Sequence, residues 1–148
     1  PSQKPDLRVA VVGHIGRHKG NAVVLDLVNY ARQQQVKLQV IVIGTLEGAE
    51  GVDGLVQTGT YQRDELIQLL NAQQVHIALM PSICPETFSY VTHELIQLGV
   101  PLISFKIGAQ AEAVESYALG RLSPLGNVPE LLQLLQEFKL ELDSLNLP

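Results

Sequence analysis

The stretch Arg8-Val9-Ala10-Val11-Val12-Gly13-His14-Ile15-Gly16-Arg17-His18-Lys19-Gly20-Asn21-Ala22-Val23-Val24-Leu25-Asp26-Leu27-Val28 decides the fold class. Arg8 to Val12 is apolar after its first residue, as a strand covered on both faces should be. Beyond the glycines, Val23, Val24, Leu27, Val28 and Ala31 recur at helical spacing and predict a helix over Asn21 to Gln34 with one apolar face. A buried-type strand that feeds a helix through a glycine-containing turn is one unit of an α/β protein, an open parallel sheet with helices on both faces.

The alternation continues outward from this unit. Further strands are predicted at Lys37 to Ile43, Leu55 to Thr58, Val75 to Met80, Pro101 to Ser104 and, with the least apolar run of the set, Arg121 to Leu122. Helices are predicted at Arg63 to Ala72, Thr87 to Leu98, Ala109 to Ala118 and Val128 to Leu140, with Gly20, Gly59, Gly99, Gly108 and Gly120 at element boundaries. On the last helix Leu131, Leu134, Leu135 and Phe138 share a face, which is expected to fold onto the sheet rather than to dock on a missing domain. The segment Gly44 to Gly54, with four glycines and the carboxylates Glu47, Glu50 and Asp53, reads as a mobile loop. In open parallel sheets ligands bind outside the carboxyl ends of the strands, so the loops after Val12, Thr58, Met80 and Ser104 are where function belongs.

Composition bounds the partners. A chain of 148 residues has the size of one domain, and 46% hydrophobic against 17% charged residues excludes disorder. The net charge of -5 argues against nucleic acid and anionic membranes, so any bound anion needs a local basic site. Cys84 is the only cysteine, which fits a reducing compartment, and no apolar run is long enough to span a membrane. The polar residues leading into the first strand read as the edge of a domain excised from a longer protein.

Two stretches carry candidate chemistry. Gly13 to Gly20 links the first strand to the first helix, where helix N-terminal amides together with Arg17 and Lys19 suit a phosphate. A solvated turn with incidental basic residues is the equally simple reading of that stretch alone. Pro81-Ser82-Ile83-Cys84-Pro85-Glu86-Thr87-Phe88-Ser89-Tyr90-Val91-Thr92-His93-Glu94 leads from a buried strand into a helix. Glu86 and Glu94, eight residues apart, cannot meet at one atom, but they suit opposite ends of an extended ligand. A first-turn glutamate complementing the helix dipole and a second, solvated one is the plainer account of the same spacing.

Those glutamates, in the arrangement E-x7-E after Pro81-Ser82 and before Gly99-Val100-Pro101, resemble the sugar-nucleotide signature of group 1 retaining glycosyltransferases of the GT-B fold. Gly13 with Lys19-Gly20, Gly59-Thr60-Tyr61, and Gly108 with Glu112 resemble further loops of that family in the same order. The resemblance implies the Rossmann-like C-terminal half of a GT-B enzyme, holding a nucleotide diphosphate sugar as substrate and needing no cofactor. It implies that Lys19, in the loop opened by Gly13, contacts the diphosphate, with amides near Phe88, Ser89 and Tyr90 and with Arg17 taking the part of the family's usual arginine from another point in the loop. Glu86 would hydrogen-bond the donor sugar as the catalytic residue, Glu94 the ribose, and Gly59, Thr60 and Tyr61 would lie near the base. It also implies a missing N-terminal acceptor-binding domain, so that this chain alone is inactive. Its place would be the cytoplasm, or the inner face of a membrane through the missing part.

Two positions depart from the family pattern. His14 stands where an arginine is usual, and Thr87-Phe88-Ser89 replaces a Gly-aromatic-Gly run. A sugar-nucleotide epimerase and a degenerate binding or scaffold domain are the rival readings. His14, His18, His76 and His93 have no metal-ligand spacing, and no metal is expected. Cys84 is expected to pack near the sugar pocket, and Tyr30, Phe105 and Phe138 to serve the core or a helix face.

Overall fold

The computed structural model describes residues 7–85 and 89–145. Among them, six strands form one sheet: β1 (Leu7–Ile15), β2 (Leu38–Leu46), β3 (Leu55–Gln57), β4 (Ile77–Met80), β5 (Leu102–Phe105) and β6 (Gly120–Ser123). The helices are α1 (Asn21–Gln33), α2 (Leu66–Ala72), α3 (Tyr90–Gln97), α4 (Gly108–Glu115) and α5 (Val128–Leu145). The spatial order is β3-β2-β1-β4-β5-β6, and each neighbouring pair is parallel. The chain therefore leaves β1 in one direction and, after β3, returns to its other side. This places a topological switch point between β1 and β4.

The two-residue period of the strands sorts their side chains into two cores. Val9, Val11, Val40, Val42, Ile77, Leu79, Ile103 and Phe105 pack with α1 and α5. Ala10, Val12, Ile41, Ile43, Ala78, Met80 and Leu102 pack with Leu66 and Leu70 of α2, Leu95 of α3 and Val114 of α4. Each fully buried aliphatic side chain of this kind contributes about 1.5–3 kcal/mol, which is why the strands read as unbroken apolar runs. The expected face of α5 is buried through Leu131, Leu135 and Phe138, with Leu134 partly buried beside it, and Arg121 of β6 lies 4.5 Å over the Phe138 ring. The helix thus belongs to this domain's own core.

The structure corrects several expected boundaries. β1 runs through Gly13 and His14 to Ile15, and β2 through Gly44 and Thr45 to Leu46, in unbroken register. Gly13 and His14 are strand residues, which shortens the first loop. A Cβ on Gly44 would stand 2.0 Å from the Gly13 carbonyl oxygen, so glycine at position 44 is what lets the two strands continue side by side. The Gly44 to Gly54 segment is correspondingly a set of tight turns from Glu47 onward, with Ala49 buried. The second helix opens as a single 3-10 turn (Arg63–Glu65), closed by a reciprocal capping box between Gln62 and Glu65. The third begins at Tyr90, because the Ser89 hydroxyl caps it by accepting from the Thr92 amide at 3.2 Å. The expected start at Thr87 lies outside the described residues.

Candidate functional site

The switch point holds a cavity of about 280 Å³. Val12, Gly13, His14 and Ile15 at the end of β1, with Lys19 from the following loop, form one wall. Met80, Pro81 and Ser82 after β4, with Ser89, Tyr90 and Val91 at the start of α3, form the other. A second hollow of about 150 Å³, lined by Gly13, His14, Gly44, Thr45, Thr60 and Tyr61, shares the Gly13-His14 wall and extends towards β2. A larger open cavity of about 650 Å³, bounded by α1 residues such as Asp26 and Tyr30 and by Leu125 to Pro129, contains none of these residues.

The two walls of the main cavity are tied to each other. The His18 carbonyl accepts from the Ile83 amide at 3.3 Å and from the Ser82 hydroxyl at 3.3 Å, and His18 Nδ1 lies 3.5 Å from Cys84 Sγ. Gly20 approaches Pro81 so closely that a Cβ there would stand 1.9 Å from the Pro81 carbonyl oxygen. On the far side Gln110 of α4, only 1% exposed, donates to the Cys84 carbonyl at 3.2 Å. Gly20 is also the N-cap of α1 and brings no side chain to its first-turn amides; the Asn21 amide donates to the Gly16 carbonyl at 3.2 Å, and exposed Arg17 and Lys19 stand alongside.

The turn after β3 meets α3. The Gly59 amide donates to the Gly44 carbonyl at 3.0 Å, which fixes the turn against β2. Tyr61 is half-buried, and its hydroxyl is pushed above its ordinary range, first by burial and then by the Glu94 carboxylate, with the Arg63 guanidinium opposing. Arg63 Nε lies 3.5 Å from Glu94 Oε2.

Residues 6–138 match the family model described as glycosyl transferases group 1. The chain belongs to this family. HepE from Anabaena, crystallised with UDP and glucose, is 20% identical, with a TM-score of 0.71 over 90% of this chain and 38% of its own. A glycosyltransferase from Rickettsia africae is 16% identical, with a TM-score of 0.72 over 93% and 38%. Sucrose-phosphate synthase from Thermosynechococcus elongatus is 18% identical, with a TM-score of 0.70 over 89% and 36%. At these identities the likeness is one of fold, the Rossmann-like architecture of GT-B glycosyltransferases. The chain spans about 38% of the length of the first two structures. No curated protein matches it in sequence.

Within this group 1 domain the sequence-predicted residues divide. Gly13, Lys19, Ser89 and Tyr90 come together at the main cavity, and Gly13, Thr60 and Tyr61 at the hollow beside it. Tyr90 is 72% exposed at the head of α3. Glu94 sits beside Tyr61 and lines neither cavity, Arg17 points to solvent in the loop, and Gly59 holds the turn. Glu86 and Phe88 lie outside the described residues. The Ser89 side chain is taken up by helix capping. Arg63 is absent from the sequence-predicted residues, although the Gln62-x-x-Glu65 spacing places it at a helix start, and His14 is read from sequence only as a departure from the family pattern and as a histidine without metal-ligand spacing. No cysteine-histidine pattern is evident in the sequence either, since Cys84 and His18 meet only through the fold. Among the described residues no group of three or more metal-ligating side chains occurs, and no helix is long and apolar enough to cross a membrane.

Proposed function

We propose that this chain is the donor-binding half of a retaining glycosyltransferase that moves a sugar from a nucleotide diphosphate to a saccharide or other acceptor. The observation that carries the reading is the single cavity at which the basic loop of β1 and the head of α3 converge, in a chain of this family. The ligand runs along the sheet edge. Lys19 and amides at the very head of α3, near Ser89 and Tyr90, meet the diphosphate, Glu94 takes the ribose hydroxyls, the Gly59 to Tyr61 turn borders the base, and Glu86 orients the sugar. His14 stands at the end of β1 with its ring against the Thr45 hydroxyl, and Arg17 and Lys19 are the basic residues of the loop assigned to the phosphates.

Positive charge and helix-end amides near the departing diphosphate act mainly on the transition state, where that charge grows. The acceptor enters from a second, N-terminal domain outside this chain, which also excludes water and closes the site. HepE, crystallised with UDP-glucose, makes UDP-sugars the first donors to try. The test compares this chain with a longer protein that includes the N-terminal domain, wild type and Glu86→Gln, in transfer assays with labelled nucleotide sugars. Transfer by the longer protein, its loss in the variant and none by the chain alone are the expected results. Robust transfer by the chain alone would overturn the half-enzyme reading, and full activity of the variant would remove Glu86.

A further inference from the structure

We infer that Arg63 is a positioning residue for the donor: it holds the Glu94 carboxylate by one oxygen and so presents the rest of that group to the ribose hydroxyls. The inference rests on the donor-binding reading given above. Arg63 starts a 3-10 turn whose backbone is fixed from both ends. The Gln62 amide donates to Glu65 Oε1 at 2.7 Å, and Leu66, immediately after the turn, is fully buried in the core. Glu94 rises from the middle of α3, whose Leu95 is likewise fully buried. The two side chains are therefore launched from rigid supports.

The pair is unequal. The Arg63 side chain is 76% exposed and the Glu94 side chain 18%, and the contact is a single one through Nε and Oε2. An ion pair with one partner so exposed is too weak to bar a ligand, yet it is enough to choose among the orientations of a carboxylate. A carboxylate offers about four acceptor sites, and one contact at Oε2 leaves most of them to a pair of adjacent hydroxyls. A ribose diol brings donors and no charge, so it adds to the Arg63 contact without displacing it. The same two charges act on the Tyr61 hydroxyl in opposite senses, as they must if all three side chains share one small region.

The test is calorimetric or NMR titration of this chain with UDP, GDP, ADP and CDP, followed by the 2′,3′-dideoxy form of whichever binds tightest. Arg63→Gln is expected to lose roughly threefold to fivefold in affinity for the ribonucleotide and almost nothing for the dideoxynucleotide. Arg63→Lys is expected to recover part of the loss, and Arg63→Gln is expected to have no further effect when Glu94→Gln is already present. Equal losses for both ligands would mean that Arg63 acts only through its charge on the phosphates, and no loss would mean that it does not act; either overturns the inference while leaving the donor site standing. Failure of the wild-type chain to bind any of the four nucleotides would remove the donor reading and this inference with it. Because Arg63 is exposed, its variants should unfold at the wild-type temperature, which separates a positioning effect from damage to the fold.

Discussion

Gly20 and Pro81 meet backbone to backbone: Gly20 has φ +91°, and a Cβ on it would stand 1.9 Å from the Pro81 carbonyl oxygen. This contact holds the basic loop of β1 against the segment that follows β4, and so sets the width of the proposed donor site. Gly20→Ala is expected to destabilise the chain by about 2 kcal/mol or more, from positive φ and the clash together. Nucleotide affinity should fall with it. Chemical denaturation reads the first effect and titration the second; an unchanged midpoint would mean that the loops are not in this contact in solution.

Lys19 lines the main cavity and is exposed to an incoming ligand. Lys19→Ala is expected to cost about 1.5–3 kcal/mol of nucleoside diphosphate binding, the range of a charge-assisted hydrogen bond, and little of nucleoside binding. Glu94→Ala should weaken both. If the Lys19 variant loses diphosphate and nucleoside affinity in the same proportion, its partner is not phosphate.

Phe138 of α5 is buried, whereas Leu140 on the same helix is 70% exposed. Phe138→Ala should cost about 3–5 kcal/mol and Leu140→Ala no more than about 0.5 kcal/mol. Comparable small losses at both positions, measured by urea denaturation, would detach α5 from the core.

His76 Nδ1 accepts from the Arg8 amide at 2.9 Å, so the ring is neutral there. Burial first, then the Lys139 charge and to a lesser degree Arg8, hold it below the ordinary 6.5, with Asp143 opposing. As pH falls below that value the unfolded chain takes up a proton that the folded chain refuses, so stability declines until folded His76 also titrates. His76→Gln should lessen the drop in unfolding temperature between roughly pH 7.5 and pH 5.5. An undiminished drop in the variant would assign the acid sensitivity to other groups.

The fold was legible because doubly covered strands carry their own signature: Val9 to Val12 and Ile41 to Ile43 are apolar on both faces, and the Phe138 face is periodic. The strand ends were not, because Gly13 and Gly44 look like breakers until the two strands are seen side by side. Part of the lining of the main cavity was legible, because Lys19 and the Ser89-Tyr90 head of α3 each stand in a local strand-to-helix turn. The site was not legible where the chain brings distant residues together. Arg63 reaches Glu94 across the sheet edge, and Cys84 reaches His18 from 66 residues away, and no local spacing announces either contact.

The proposed function requires a nucleotide diphosphate to bind at the β1/β4 switch point. Amide spectra of the labelled 148-residue chain, recorded with increasing UDP and then with the other common nucleoside diphosphates up to millimolar concentration, test it most directly. The predicted result is saturable shifts confined to Gly13 to Gly20, Gly59 to Tyr61 and Ser89 to Glu94 with at least one of them. Silence from every nucleotide would rule out binding at the switch point, and so would shifts centred on Asp26 to Gln33 and Leu125 to Val128, around the larger cavity between α1 and α5.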